Sequence, residues 1–316
     1  MRTGIVGFGQ IGREVYRRLK ERGEDVAFVA RSDGIYSVDK GERIGSLRDC
    51  FDFDLDLAIL DITTLDGGRI AFNYINGFLD AGARVVTSEK GAMGNYFSEL
   101  EPRFDRLGFS AVAGGRIGMA TFLRDLRILD GQRLDAVVNG TLNYVFDEAS
   151  KSGNLAEAVR RAQELGYAEP NADGVLDVIN QESCFDVPMK SAILFNFFNF
   201  FNSGKRIRAR DINVSKVDND VLEELRRDSF SRRYVVSITR NPVSDSLGGF
   251  ELEADGWHLS GGFRHMERRI PGGVNNFIVV QGDLGEFWAY GEGAGAKATV
   301  DAMMYDARRL MNDNKS

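Results

Sequence analysis

The sequence predicts an α/β protein: a parallel sheet comes first, an α+β domain second, and the last segment returns to the first domain. Three observations predict it. A glycine-rich turn, GFGQIG, stands between a short apolar run and a helical pattern at the amino end. Apolar runs then alternate with helical stretches through residue 115. From 134 onward the pattern changes to strand-like runs, YVVSITR, GFELEA, GVNNFIVVQ and EFWAYGEGAG, followed by the helical ATVDAMMYDARRLM. Strands alternating with helices imply a parallel sheet, whereas grouped strands imply an antiparallel one.

Each element of the first half has its own signal. Thr3–Val6 is a β-like run, and REVYRRLKERG after the turn has helical spacing. The glycines at 7, 9 and 12 form GxGxxG in a strand-to-helix context. Gly7 permits the tight turn, Gly9 lets the backbone approach a pyrophosphate, and Gly12 lets the helix lie close on the strand. The N–H groups and positive end of that helix favour phosphate. This is a Rossmann dinucleotide-binding signature. DVAFVA is the second strand, DLDLAILDI the third, ARVVTSEK the fourth and FSAVAGG the fifth, with GGRIAFNYINGFLDAG as a crossover helix. Ligands collect at the carboxyl ends of such strands, where Thr63, Ser88, Lys90 and the pair Gly114–Gly115 stand.

The end of the second strand chooses the cofactor. Arg31 and Ser32 suit a ribose 2′-phosphate, with Lys40 able to add charge, and so favour NADP(H) over NAD(H). Asp33 is the residue type that serves the NAD role.

In the second half, LDAVVNGTLNYVFDEASKSG reads as strand, turn and helix. NLAEAVRRAQELG is an amphipathic helix capped by Asn154 and stopped by Gly166. FDVPMK then leads into SAILFNFFNFF. Pro188 suits a first helical turn, so Asp186 is expected near a helix start with Lys190 one turn in, on the same face. An arbitrary pair of this kind is a surface ion pair. The expected domains are 1–125 with 290–316 for the dinucleotide, and 126–289 for the substrate.

Composition excludes several classes. The 316 residues suit two domains, and 43% hydrophobic with 28% charged residues is a soluble globular balance. The net charge of −7 argues against nucleic acid or an anionic membrane surface as partner. Cys50 and Cys184 make neither a metal-ligand spacing nor a disulfide framework, and His258 and His265 have no nucleophile motif beside them. No metal site is expected. No apolar stretch reaches the length of a bilayer span and no signal peptide opens the chain, so a cytoplasmic location is expected.

GFGQIG, VVTSEK, SAVAGGRIG, NGTLNYVF, AQELGYAEP, FDVPMKSAIL, GVNNFIVV and YGEGAGAKATVDAMMYD, in that order, resemble the homoserine dehydrogenase family. The resemblance implies NAD(P)-dependent reduction of L-aspartate 4-semialdehyde to L-homoserine, a step toward threonine and methionine. It implies catalytic roles for Lys190, Asp186 and Lys90, and a substrate role for Glu169. By the same resemblance Asn139, Gly140 and Thr141 line the substrate pocket, while Gly293 and Thr299 lie beside the cofactor. The turn at Gly7–Gly12, Gln10 and Ile11 included, holds the pyrophosphate. A homodimer is implied, with strands of the second half at its interface. The sequence ends after the GEGAG helix, so a regulatory ACT domain is not expected.

Three departures stand out. GGRIG replaces a GGGIP-like turn, introducing Arg116, whose forked donors suit a substrate carboxylate. Ser110 replaces a glutamate associated with a monovalent cation. The stretch from Glu169 to Asp186 is longer than in the family, and Gln181 stands where an aspartate is usual. Asp173, Asp177 or Glu182 are candidates to supply that charge from the longer 170–185 loop. Two alternatives therefore stay open: a related oxidoreductase for a different short hydroxy or oxo acid, and a dinucleotide-binding sensor without turnover.

Overall fold

The protein is described by a computed structural model over residues 1–126, 131–168, 172, 174–199, 204–266, 270–283 and 285–312. It divides into two compact units, Met1–Val112 with Ala296–Ser316, and Ala113–Gly295. The first unit closes at Val112 and resumes at Ala296, where the sequence reading placed these limits at 125 and 290.

The first unit is built on one sheet: β1 (Arg2–Val6), β2 (Asp25–Arg31), β3 (Gly34–Tyr36), β4 (Arg43–Gly45), β5 (Leu57–Leu60), β6 (Arg84–Thr87) and β7 (Leu107–Gly108). Their order is β4-β3-β2-β1-β5-β6-β7. All pairings from β2 through β7 are parallel, and β3 and β4 add an antiparallel edge. Every residue of β5 is buried. Burial on both faces is why the parallel strands read as unbroken apolar runs. The edge strands GIY and RIG are too short for any period to show.

The fifth parallel strand ends at Gly108, earlier than the FSAVAGG run suggested, and Ser110–Val112 is a 3₁₀ turn. The reason is Asp306, a buried carboxylate that accepts from the Ser110 backbone N–H at 2.6 Å and from its hydroxyl at 2.8 Å. Ser110 is thereby withdrawn from the sheet ladder. Asp306 lies on the C-terminal helix Ala296–Asn312, which puts Val300, Met303, Met304, Ala307 and Leu310 into one core with Ile5, Val15, Leu19 and Ile59.

Helices α1 (Gln10–Glu21), α2 (Arg69–Asp80), α3 (Lys90–Asn95) and α4 (Phe97–Leu100) complete the unit. α1 buries Val15 and Leu19 and keeps Glu14, Arg17 and Glu21 paired on its outer side. The strand order reverses between β1 and β5, the place where open α/β sheets bind ligands. Asp61 stands there. Its backbone N–H continues the ladder to the Val6 carbonyl at 2.9 Å, and its carboxyl accepts from Ser88 Oγ at 2.5 Å. Burial pushes this carboxyl above the usual range, partly offset by the Ser88 hydroxyl and the Gly12 backbone.

The second unit carries an antiparallel sheet of β8 (Gly131–Val137), β9 (Arg233–Thr239), β10 (Leu247–Ala254), β11 (Trp257–Arg264), β12 (Asn275–Gly282) and β13 (Gly285–Glu292). Its order is β10-β11-β9-β8-β12-β13. Leu134, Ala136, Ile238, Leu259 and Ile278 are fully buried on one face, and Val137, Val235, Phe277 and Val279 form a second cluster on the other. The helices are α5 (Met119–Asp125), α6 (Gly140–Ser152), α7 (Leu155–Glu164), α8 (Val175–Gln181), α9 (Val187–Phe198) and α10 (Asn219–Arg227). Asn154 caps α7 by accepting from the Glu157 N–H, and Gly166 follows it with φ +71°.

Residues 175–185, read from the sequence as part of a long loop, are helical. α8 passes into α9 through a π turn, Glu182–Asp186, so Asp186 lies within a continuous helical path and not at a start. Pro188 accounts for the turn. It offers no N–H, and its ring crowds the carbonyl one turn back, so the preceding turn widens. α9 is buried nearly all round, which a helix apolar on every side must be. Its polar residues are engaged: Ser191 donates to the Val187 carbonyl at 2.8 Å, and Asn196 exchanges two 2.9 Å bonds with Ile207.

Two stability predictions follow from the first unit. Asp306→Ala removes the acceptor of two bonds to a charged group, each worth about 1.5–3 kcal/mol. The expected loss is about 3 kcal/mol or more in urea unfolding, and a loss below about 1 kcal/mol refutes this account. Asp61 gives a pH dependence. An acid whose proton affinity is raised by folding contributes stability while protonated, below its unfolded value near 4, and loses it as pH rises toward its folded value. Asp61→Asn keeps an acceptor for Ser88 without the buried charge. The variant should therefore gain stability relative to the parent as pH rises from below about 4; a gap that does not change with pH refutes the assignment.

Candidate active site

In the first unit, each glycine of GFGQIG has a separate physical reason. Gly7 has φ +94°, and a Cβ there would lie 1.7 Å from the Asp61 carbonyl oxygen. A Cβ at Gly12 would lie 2.0 Å from the Gly7 carbonyl oxygen, so α1 can sit this close to the turn only without a side chain. At Gly9 a Cβ would meet nothing within 4 Å. That direction is open, as a backbone that receives a pyrophosphate requires. Gly9 is also the N-cap of the 12-residue α1, whose first-turn N–H groups have no side-chain cap. A phosphate satisfies such donors. Gln10 opens α1 exposed, and Ile11 turns its side chain onto the core, leaving its backbone to the turn.

Arg31 ends β2, its guanidinium 4.8 Å from the Tyr36 ring centre and 5.8 Å from that of Phe8. Ser32 beside it is exposed. The Asp33 carboxylate accepts from the Tyr36 hydroxyl at 2.6 Å, a bond that holds it below the usual carboxylate range. Thr63 is exposed beyond β5, and Ser88 donates to Asp61. Lys90 opens α3, whose N-cap is the buried Glu89, accepting from the N–H groups of Gly91 and Ala92. Thr299 lies half-buried on the C-terminal helix.

In the second unit the pair that opens α9 is closed and shielded. Lys190 Nζ lies 2.7 Å from Asp186 Oδ2, with each side chain only 11% exposed, so this is not a solvated surface pair. Nζ also donates to the Val138 carbonyl at 3.0 Å. Asn139, the next residue, caps α6: its Oδ1 accepts from the Leu142 N–H at 2.7 Å. Its Nδ2 donates to Asp186 Oδ2 at 2.9 Å and to Glu182 Oε2 at 2.5 Å. The junction between β8 and α6 therefore meets the helical path at Glu182, Asp186 and Lys190. Thr141 donates its hydroxyl to the Tyr167 carbonyl at 2.6 Å, anchoring the segment that leads to Glu169. Gly140 is required by packing, since a Cβ there would sit 2.7 Å from the Val274 carbonyl oxygen.

Glu169 and Asp173 lie outside the described residues. Arg116 is half-exposed and 3.5 Å from Glu292. Gly293 packs within the second unit, donating to the Val274 carbonyl at 2.8 Å, with the Asn276 side chain where its Cβ would be. It therefore groups with the second unit and not with the returning helix that carries Thr299. Glu182 is one of the three candidate charges of the 170–185 stretch, and nothing in the sequence connects it to Asn139. A carboxylate one turn before Asp186 is the signal in the sequence, masked there by a proline that suits a helix start. Nothing local in the sequence marks Asp61, a partly buried acid just past a strand end.

Residues 121–307 match the sequence profile of the family described as homoserine dehydrogenase. A homoserine dehydrogenase of Synechocystis is 25% identical across 98% of this chain and 73% of its own length. An NAD(+)-dependent homoserine dehydrogenase of Pseudomonas canavaninivorans is 26% identical across 91% of this chain and 81% of its own. Among solved structures, a hyperthermophilic archaeal homoserine dehydrogenase in complex with NADPH superposes with a TM-score of 0.72 at 18% identity, covering 99% of this chain and 98% of that one. With a family profile spanning more than half of its residues, the chain belongs to the homoserine dehydrogenase family, oxidoreductases that reduce aspartate semialdehyde to homoserine.

Proposed function

We propose that this chain reduces L-aspartate 4-semialdehyde to L-homoserine with NADPH in preference to NADH, and that Lys190 protonates the new hydroxyl. The observation that carries this reading is the shielded Asp186–Lys190 pair. An ammonium has three N–H groups. Asp186 and the Val138 carbonyl take two, which leaves the third for a substrate oxygen. Reduction of an aldehyde develops an alkoxide, and a positioned ammonium both stabilises that charge and supplies the proton. Asp186 keeps the ammonium in place.

Bound at the glycine turn, the nicotinamide cofactor supplies the hydride. The turn from Gly7 to Gly12 and the start of α1 would hold its phosphates. Arg31 and Ser32 would hold a 2′-phosphate, and the engagement of Asp33 with Tyr36 supports this choice, because it occupies the carboxylate that a ribose diol would need. Thr63, Ser88, Lys90, Gly293 and Thr299 are assigned to the cofactor in this reading, and Lys90 is also assigned a catalytic role. Glu169 is assigned to the substrate ammonium and Arg116 to its carboxylate. A homodimer is proposed through the second sheet. Trp288 and Tyr290, each more than half exposed and stacked at 5.8 Å on the edge strand β13, support that reading. Among the described residues no helix is long and apolar enough to cross a membrane, which is compatible with the proposed cytoplasmic location.

Steady-state oxidation of NADPH with aspartate semialdehyde tests the assignment. Lys190→Ala should lower kcat by about 10²–10⁴ while the KM for NADPH changes little. Turnover within a few-fold of the parent refutes the role of Lys190. Arg31→Ala should weaken NADPH by about 10-fold or more, the scale of a lost charge-assisted bond, and leave NADH unchanged. Equal effects on both cofactors refute the 2′-phosphate assignment.

A further inference from the structure

We infer that Asn139, held by Glu182, is the positioning residue of the Asp186–Lys190 pair and is not a ligand of the substrate. The inference rests on the reading of Lys190 as proton donor, and it assigns Asn139 a different task from the one that the family resemblance implies.

The orientation of the amide is forced by its neighbours. The Leu142 N–H faces one end at 2.7 Å, so that end must be the oxygen. Two carboxylates face the other end, so it must be the NH₂ group. An asparagine amide has two N–H donors. Glu182 takes one at 2.5 Å and Asp186 takes the other at 2.9 Å. Both donors are therefore spent inside the protein, on a residue only 4% exposed.

The oxygen that Asn139 contacts is Asp186 Oδ2, the same one that holds Lys190 Nζ. Amide and ammonium converge on a single atom. Rotation of the Asp186 carboxyl would break both bonds together, and the amide thus sets the angle at which Lys190 is held. Glu182 secures the amide from the far side, so it cannot follow Asp186 if the carboxyl turns. The adjacent Val138 carbonyl takes a second Lys190 donor. Two consecutive backbone positions therefore fix both members of the pair. Glu182 and Asp186 stand at the two ends of the π turn, and both reach one amide.

Substitutions at 139 can separate this role from helix capping. Serine and aspartate both cap helices well, so Asn139→Ser and Asn139→Asp keep an acceptor for Leu142 while losing both amide donors. Asn139→Ser should unfold near the parental midpoint, whereas Asn139→Asp, which sets a third carboxylate against Glu182 and Asp186, should be less stable. Each should lower kcat for aspartate semialdehyde by about 10- to 100-fold, the scale of misplacing a reacting group by an ångström, with the KM for the aldehyde near parental. Glu182→Ala should show the same split, and Glu182→Gln, which keeps an acceptor for the amide, should recover most of the loss. Parental kcat in a folded Asn139→Ser enzyme overturns the inference. So does a raised KM for the aldehyde with kcat intact, the signature of a lost substrate ligand. If Asn139→Ser and Asn139→Asp both fail to fold, the Glu182 pair decides: equal turnover of its Ala and Gln variants overturns the inference. Failure of the parent enzyme to use aspartate semialdehyde counts against the proposed activity and is read before any variant is made.

Discussion

The second unit is organised around one constraint: a lysine ammonium, nearly excluded from water, must be held by fixed partners. Burying a charge is costly unless it is paired and hydrogen-bonded. Lys190 satisfies this through one carboxylate and one backbone carbonyl, both supplied at the strand-to-helix junction or one turn back in its own helix. That requirement ties β8, α6 and α9 to one another. Val138, just past the end of β8, must turn its carbonyl to the helix, and Asn139 must cap α6 with its amide toward the carboxylates. The proline two residues before Lys190 and the widened turn ahead of it are then parts of one local solution.

The first unit meets a different constraint, which is backbone proximity. The Gly7 turn, the Asp61 carbonyl and the start of α1 lie so close that side chains at Gly7 or Gly12 would overlap main-chain atoms. The uncapped N–H groups of α1 and the open direction at Gly9 are left over by this packing. The Asp61 carboxyl is anchored by Ser88 in the same place, an acid whose charge burial disfavours. Phosphate groups approach such a turn more readily when a nearby carboxyl is neutral or hydrogen-bonded. The C-terminal helix belongs to this unit through apolar packing and through Asp306, whose two bonds to Ser110 also decide where the last parallel strand ends.

By itself the sequence determined the sheet classes, the glycine turn, the helix limits at Asn154 and Gly166, and the pairing of Asp186 with Lys190. These are local matters: hydrophobic period, capping chemistry and one-turn spacing are written in neighbouring residues. The greasy run after FDVPMK was equally legible as a buried helix. Tertiary structure decided the rest. It showed that 175–186 is helical, because the effect of Pro188 depends on what packs around the preceding turn. It closed β7 at Gly108, because the competing acceptor, Asp306, is remote in sequence. It joined Asn139 to Glu182 and Asp186 across more than forty positions, a link that no period or spacing encodes. Which carboxylates share one amide is set by how a strand end meets a helix in space, and short-range sequence carries no record of that meeting.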